Sequence, residues 1–85
     1  GLLRSTAFDL LDVDLSSALE DEIRAVLEAI DDVRVRDLHV WSLGGSAKSC
    51  VVTLVTAAPR DPRCYHEALA RFALAHLTIE VQQRE

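Results

Sequence analysis

With 85 residues, 14 of them acidic and 9 basic, the chain has room for one domain and a formal net charge of −5 at pH 7. The acidic balance argues against nucleic-acid binding, which needs a basic face to replace phosphate counterions, and it fits small cations as partners. A hydrophobic fraction of 49% argues against disorder. Since no apolar run approaches the roughly 20 residues that span a bilayer, we expect a soluble chain. A core this small would gain from a partner subunit, or from a metal held between subunits.

The N-terminal part predicts a lead-in followed by an amphipathic helix. Residues 1–14 carry scattered apolar side chains without clean periodicity, and we interpret them as an extended segment in front of a domain that covers residues 15–85. Ser17 and Glu20 fit a capping box, in which each side chain binds the other residue's backbone N–H. Apolar residues then recur every three or four positions, which predicts one buried stripe: Leu19, Ile23, Val26, Leu27 and Ile30.

A β-hairpin and a second helix follow. The β-rich segments 33–43 and 49–56 are separated by a glycine-rich turn, which is typical of a hairpin. Asp61 and Pro62 then predict a helix start, with Asp61 as N-cap and Pro62 at the first helical position. The apolar stripe of this helix is predicted to contain Tyr65, Leu69, Phe72 and Ala73.

The last segment, residues 76–82, alternates strictly between apolar and polar residues, as a strand with one buried face does. The order helix, strand, strand, helix, strand predicts an α+β, ferredoxin-like αββαβ sandwich. We expect both helices on one face of an antiparallel three-stranded sheet. The first and last strands would then be neighbours at its centre, and the other sheet face would be left for solvent or a partner.

The sequence carries no sign of catalysis. It lacks a G-x-S-x-G elbow, a Gly-rich phosphate loop and an H-E-x-x-H motif. Cys64 and His66 lie two apart on a predicted helix and so point in different directions. Asp31 and Asp32 are typical of a solvated turn, and Cys50 and Cys64 of reduced thiols rather than a disulfide framework. We therefore predict that the chain is not an enzyme.

Metal binding is the better candidate, because imidazole and carboxylate suit zinc, cobalt and nickel. Period-two alternation places Asp37, His39 and Trp41 on one face of their strand, and His76 and Glu80 on one face of theirs. If the two strands are neighbours, Asp37, His39, His76 and Glu80 form one ligand cluster. Trp41, the single tryptophan, is predicted to lie in a dimer interface, where aromatic residues are enriched.

Each candidate ligand also has a structural interpretation. His39 lies between two apolar residues, which is also typical of a hydrogen-bonded structural histidine. His76 can cap helix carbonyls, and His66 lies on the polar side of its helix, where solvation is the default. Asp37 and Glu80 can serve only to keep the open sheet face polar.

Three stretches, taken together, resemble one family. Residues 37–43, D-L-H-V-W-S-L, resemble the signature on the first strand of the cytoplasmic domain of cation diffusion facilitators, membrane transporters that export divalent metal. Leu-Leu-Asp at residues 10–12 resembles the segment that joins the last membrane helix to this domain. H-L-T-I-E-V at residues 76–81 resembles the closing strand. The three motifs follow in the family's order and spacing, and the resemblance covers nearly the whole chain.

The resemblance implies a metallochaperone-like αββαβ domain on the cytoplasmic side of the cell membrane, attached to the transporter's membrane domain. It implies homodimerisation, with zinc, cobalt or nickel at or near the dimer interface acting as a regulatory signal. His39, His76 and Glu80 match family positions, and His66 lies on the helix from which some members lend a histidine to the partner subunit. The connector at 59–62 and Tyr65 resemble members that export cobalt or nickel.

Two departures from the family pattern leave alternatives open. Arg36 stands where many members have a histidine before the motif, and Val52 and Thr53 stand where many have one in the second strand. The alternatives are a metal-insensitive structural dimerisation domain of the same transporter, or a free-standing ferredoxin-like small-molecule sensor.

Overall fold

A computed structural model describes residues 16–84, so the predicted lead-in at 1–14 lies outside the described residues. The elements are helix α1, described over residues 16–28, and then strands β1 (Arg34–Gly44) and β2 (Ala47–Thr56). Helix α2 (Pro62–Ala68), a 3-10 turn (Ala70–Phe72) and strand β3 (His76–Gln83) follow. The predicted α+β class and the αββαβ order are confirmed, with two helices and a three-stranded sheet compatible with a ferredoxin-like arrangement.

The sheet order is β1-β2-β3, with β1 antiparallel to β2 and β2 parallel to β3. The predictions of an antiparallel sheet and of β1 and β3 as central neighbours are therefore wrong. The physical reason is the connection between β2 and β3, because a helical crossover returns the chain in the same direction and favours a parallel pair. The hairpin already places β1 on one side of β2, so β3 occupies the other side.

One apolar core joins both helices to the same face of the sheet. Ile23 and Leu27 of α1 and Tyr65 of α2 are fully buried against it, and Leu69 is nearly so. Past Val35, the strand residues that form or pack against this core alternate along their strands, as predicted for the first and last strands: Leu38, Val40, Cys50, Val52, Leu54, Leu77, Ile79 and Val81. The opposite face of the sheet carries no helix in the described part of the chain.

The predicted capping box at Ser17 and Glu20 is wrong. Residue 16 is already helical, so Ser17 lies inside α1 rather than at its cap. The Glu20 carboxylate instead accepts the backbone N–H of Val40, with 3.0 Å between Oε2 and N. The apolar stripe is confirmed for Leu19, Ile23, Val26 and Leu27, which belong to the core or pack against it, whereas Ile30 also packs against the core but lies in the turn after the helix.

A β-bulge at Arg36 changes the alternation of β1. Val35 pairs with Leu54 and Asp37 with Thr53, so Arg36 is an extra residue without a partner of its own in this ladder. Val35 and Leu38 would point to opposite faces of a regular strand, yet both are buried. Beyond the bulge the predicted alternation of residues 37, 39 and 41 holds, and all three are exposed.

Helix α2 begins as predicted. The Asp61 side chain accepts the backbone N–H of Arg63 at 2.9 Å, and Pro62 occupies the first helical position. The helix ends at Ala68, and a 3-10 turn continues to Phe72. Ala73 does not belong to the stripe as predicted, because it is exposed and adopts a left-handed conformation with φ of 50° that ends the turn.

Candidate functional site

The helix-free sheet face carries four of the five predicted ligands, arranged in rows across the three strands. One row contains Asp37, Thr53 and Glu80, since Thr53 is the partner of both neighbours. The next row contains His39, Val51 and Thr78, and the third Trp41, Ser49 and His76. We call this surface the open face.

The strand order keeps the predicted ligands of β1 and β3 apart. With β2 between them, the two backbones are separated by two interstrand spacings, about 10 Å. Among residues 16–84, no group of three or more His, Cys, Asp and Glu side chains is placed to hold a metal ion. The predicted single-chain cluster of Asp37, His39, His76 and Glu80 is therefore not formed.

One pair of candidate ligands does come together. His39 Nε2 lies 3.1 Å from Asp37 Oδ1, and the two side chains keep 68% and 61% of their surface exposed. Because both residues lie beyond the bulge and are two positions apart, their side chains project from the same face of the strand. An exposed imidazole beside a carboxylate offers two ligands of the kinds that zinc, cobalt and nickel accept.

The other predicted ligands are held differently. Glu80 Oε1 accepts a hydrogen bond from Gln82 Nε2 at 2.8 Å, and Gln82 Oε1 accepts one from Arg36 Nη1 at 2.8 Å. Glu80 is thus linked to a guanidinium that reaches across the open face from β1. His76 is exposed at the start of β3. His66 is exposed on α2, in the helix layer, so the sheet separates it from the other four.

Apolar side chains accompany the ligand pair. Trp41 is 44% exposed and Val51, opposite His39, is 38% exposed. Leu43, at the hairpin end of β1, is 48% exposed. Trp41 was singled out from the sequence as an interface residue, but Val51 was not, because the pattern of a strand does not show which apolar residue lies outside the core.

The Asp31–Asp32 turn is structural rather than merely solvated. Asp32 accepts hydrogen bonds from the Thr56 hydroxyl, from the Ala57 N–H at 3.0 Å and from Arg84 Nη2 at 3.1 Å. Asp31 accepts from Arg60 Nη2 at 2.8 Å. The Arg60 guanidinium lowers the pKa of Asp31, and the Thr56 hydroxyl, followed by the Ala57 N–H, lowers the pKa of Asp32.

A cleft of about 300 Å³ opens beside this turn. Its lining carries charges of both signs and is formed by Glu28, Asp31, Asp32, Val33, Arg34 and Arg84. The carboxylates of Asp31 and Asp32 are already bound by arginines of the same chain. Since these carboxylates bind side chains of the same chain, the cleft is a junction between elements.

The two cysteines are free thiols, Cys50 buried and Cys64 half-buried. Burial raises the pKa of the Cys50 thiol to about 11, and the charge of Glu20 adds to this rise. Cys50 therefore stays protonated and packs as a small apolar residue.

Neither a protein-family model nor a curated protein matches the sequence. Within residues 16–84, no helix has both the length and the apolar character required to cross a membrane.

Proposed function

We propose that the chain is a homodimerising, metal-sensing regulatory domain on the cytoplasmic side of a divalent cation efflux transporter. The observation that carries this proposal is the open face, on which exposed Trp41 and Val51 lie beside the Asp37–His39 pair. The transporter context rests on the resemblance of residues 37–43 to the cation diffusion facilitator signature.

The apolar part of the open face supports self-association. A sheet face without a helix normally carries polar residues toward solvent, whereas here Val51 is exposed at its centre and the indole of Trp41 at its end. Aromatic side chains supply large contact area at interfaces. A second copy is the proposed partner, because a two-fold axis lets one surface patch cover itself.

The ligand pair couples this association to metal. Zinc takes four ligands in closed sites, and one chain offers the two side chains of Asp37 and His39. Two copies that meet through their open faces bring together two imidazoles and two carboxylates. Metal then binds the dimer more tightly than the single chain, so it drives association by mass action.

A metal-insensitive dimerisation domain is the second candidate, and Arg36 favours it. Its guanidinium lies on the open face, bound to Gln82, close in sequence to the Asp37–His39 pair. A fixed positive charge near a binding site opposes the entry of a divalent cation. In this case Trp41 and Val51 would still pair the two copies.

The test combines calorimetric titration of the metal-free chain with zinc, cobalt and nickel and sedimentation with and without metal. We expect saturable binding and a metal-promoted dimer in the wild type, with binding lost in His39→Ala. The matched control is His66→Ala, which removes an exposed histidine from the helix layer and should leave binding unchanged.

The same measurements separate the candidates. A dimer that forms without metal, gives no heat with any metal and dissociates in Trp41→Ala would favour the metal-insensitive domain. A chain that stays monomeric at all concentrations, with and without metal, would contradict both and leave the small-molecule sensor as the alternative.

A further inference from the structure

The edge of strand β1 that faces away from β2 is contacted by side chains of helix α1. In the described part of the chain β1 pairs on one side with β2, and its other side has no strand neighbour. On that side the Val40 N–H donates to Glu20 Oε2 at 3.0 Å, and the Val35 N–H donates to Glu28 Oε2 at 2.9 Å. Both glutamates are half-buried.

The geometry of the two elements makes both bonds possible at once. Glu20 and Glu28 are eight residues apart on a helix, a rise of about 12 Å. Val35 and Val40 are separated by about 13 to 16 Å along a strand that contains one bulge. Helix and strand run in opposite directions, so the first glutamate meets the later valine.

The two hydrogen bonds between α1 and β1 require the bulge at Arg36. In a regular strand, successive N–H groups point to alternate edges, so residues five apart would donate in opposite directions. The extra residue between Val35 and Asp37 shifts this alternation by one position, so that the N–H groups of Val35 and Val40 point to the same edge. Both valines can therefore bury their side chains in the core while turning their N–H groups to the free edge.

We propose that Glu20 and Glu28 form an edge lock, which keeps β1 from pairing with another extended chain. A long edge strand with free N–H groups is a template for pairing, and proteins protect such edges with charged side chains or a covering helix. β1 has 11 residues and exposed apolar side chains near its end, so it needs this protection. The partner that the lock excludes is β1 of a second copy.

The edge lock is independent of the proposed function, although it restricts how two copies can meet. With the N–H groups of Val35 and Val40 occupied, association is directed to the open face. Removing the lock adds a second mode, in which two β1 strands pair antiparallel about a two-fold axis. Edge pairing leaves Trp41 exposed, whereas pairing through the open face buries it.

The test compares three double variants. Glu20→Ala with Glu28→Ala removes both acceptors. Glu20→Gln with Glu28→Gln removes the charges but keeps an oxygen that accepts the N–H bonds. Asp21→Ala with Glu22→Ala, on exposed positions of the same helix, is the control with the same change of net charge.

Hydrogen exchange of the Val35 and Val40 amides is the first measurement. We expect exchange at least about tenfold faster in the alanine double variant than in the control, because a bond to a charged acceptor is lost. The glutamine variant should stay within about threefold of the wild type, and it keeps the test valid if the alanine variant unfolds.

Sedimentation and tryptophan fluorescence form the second measurement. We expect the alanine double variant to associate further than the control at the same protein concentration, with no additional change in Trp41 emission, because edge pairing does not cover the indole. Equal exchange at Val35 and Val40 in the alanine variant and the control would overturn the edge lock. So would unchanged association of the alanine variant, or tenfold faster exchange in the glutamine variant. None of these results alters whether the wild type pairs through its open face.

Discussion

At the scale of single residues, Arg36 has the largest influence on what the open face can bind. It is the extra residue of the bulge, so it sets the phase of Asp37 and His39, and its guanidinium reaches Gln82 on β3. It therefore helps to place the ligand pair on the open face and also opposes a cation there. The placement of the ligand pair depends on the backbone of Arg36, whereas the repulsion of a cation depends on the charge of its side chain.

Replacing the charge while keeping the backbone separates these effects. Arg36→Gln retains a residue at the bulge and a donor toward Gln82 but removes the positive charge. We expect affinity for divalent metal to rise by roughly three- to tenfold, since one nearby unit charge in a solvated site is worth about 1 kcal/mol. Calorimetric titration measures this change. Arg24→Gln, on the exposed side of α1, is the charge-matched control, and an equal rise in both would attribute the effect to net charge.

At the scale of elements, helix α2 depends on its first turn. The helix has seven residues, too few to be stable by itself, and Asp61 satisfies one of its free N–H groups. The adjacent Arg60 N–H donates to the hydroxyl of buried Tyr65 at 2.9 Å, which holds the connector against the helix. The start of α2 thus fixes the crossover that makes β3 parallel to β2.

Loss of the N-cap should therefore be measurable. We expect Asp61→Ala to lower the free energy of unfolding by about 1 kcal/mol, within the range found for such caps. Urea denaturation monitored by the fluorescence of Trp41 gives this value. Glu67→Ala, at an exposed position of the same helix, should change it by less than about 0.5 kcal/mol. A comparable loss in both variants would mean that the cap hydrogen bond is not responsible for the effect.

The elements also show which features the sequence could reveal. The cap at Asp61 and the alternation of β3 depend on neighbouring residues alone, and both were predicted. The capping box at Ser17 failed because Glu20 binds Val40, a partner 20 residues away that no local pattern contains. The bulge at Arg36 and the order β1-β2-β3 also depend on long-range pairing. For this reason the open-face residues of β1 and β3 could be predicted, but not those of β2, nor which residues are neighbours.

At the scale of the whole molecule, two aspartates, Asp31 and Asp32, join distant parts of the chain and should make stability depend on pH. Asp32 connects the turn after α1 to the end of β2 and to Arg84 beyond β3, and Asp31 connects the same turn to Arg60. The pKa of each is lowered, mainly by the Thr56 hydroxyl for Asp32 and by Arg60 for Asp31. The Arg63 N–H likewise lowers the pKa of Asp61.

A lowered pKa in the folded chain means that the unfolded chain binds protons more readily. The stabilisation is therefore complete above the ordinary aspartate pKa of about 4, and it is lost as the pH falls through the lower folded values. We expect the urea midpoint to be constant from pH 7 to about 5 and to fall steeply below about 4. Asp31→Asn with Asp32→Asn should flatten this fall, because the amides do not titrate.

Sedimentation at each pH distinguishes this effect from dissociation of a dimer. If the turn is the cause, the midpoint of the wild type falls at a protein concentration where the association state is unchanged. The control is Asp21→Asn with Glu22→Gln, which removes two exposed titrating groups from α1 and should leave the steep fall intact. An equally steep fall in the Asp31–Asp32 variant would mean that other carboxylates control the acid transition and that the turn is not the junction its hydrogen bonds indicate.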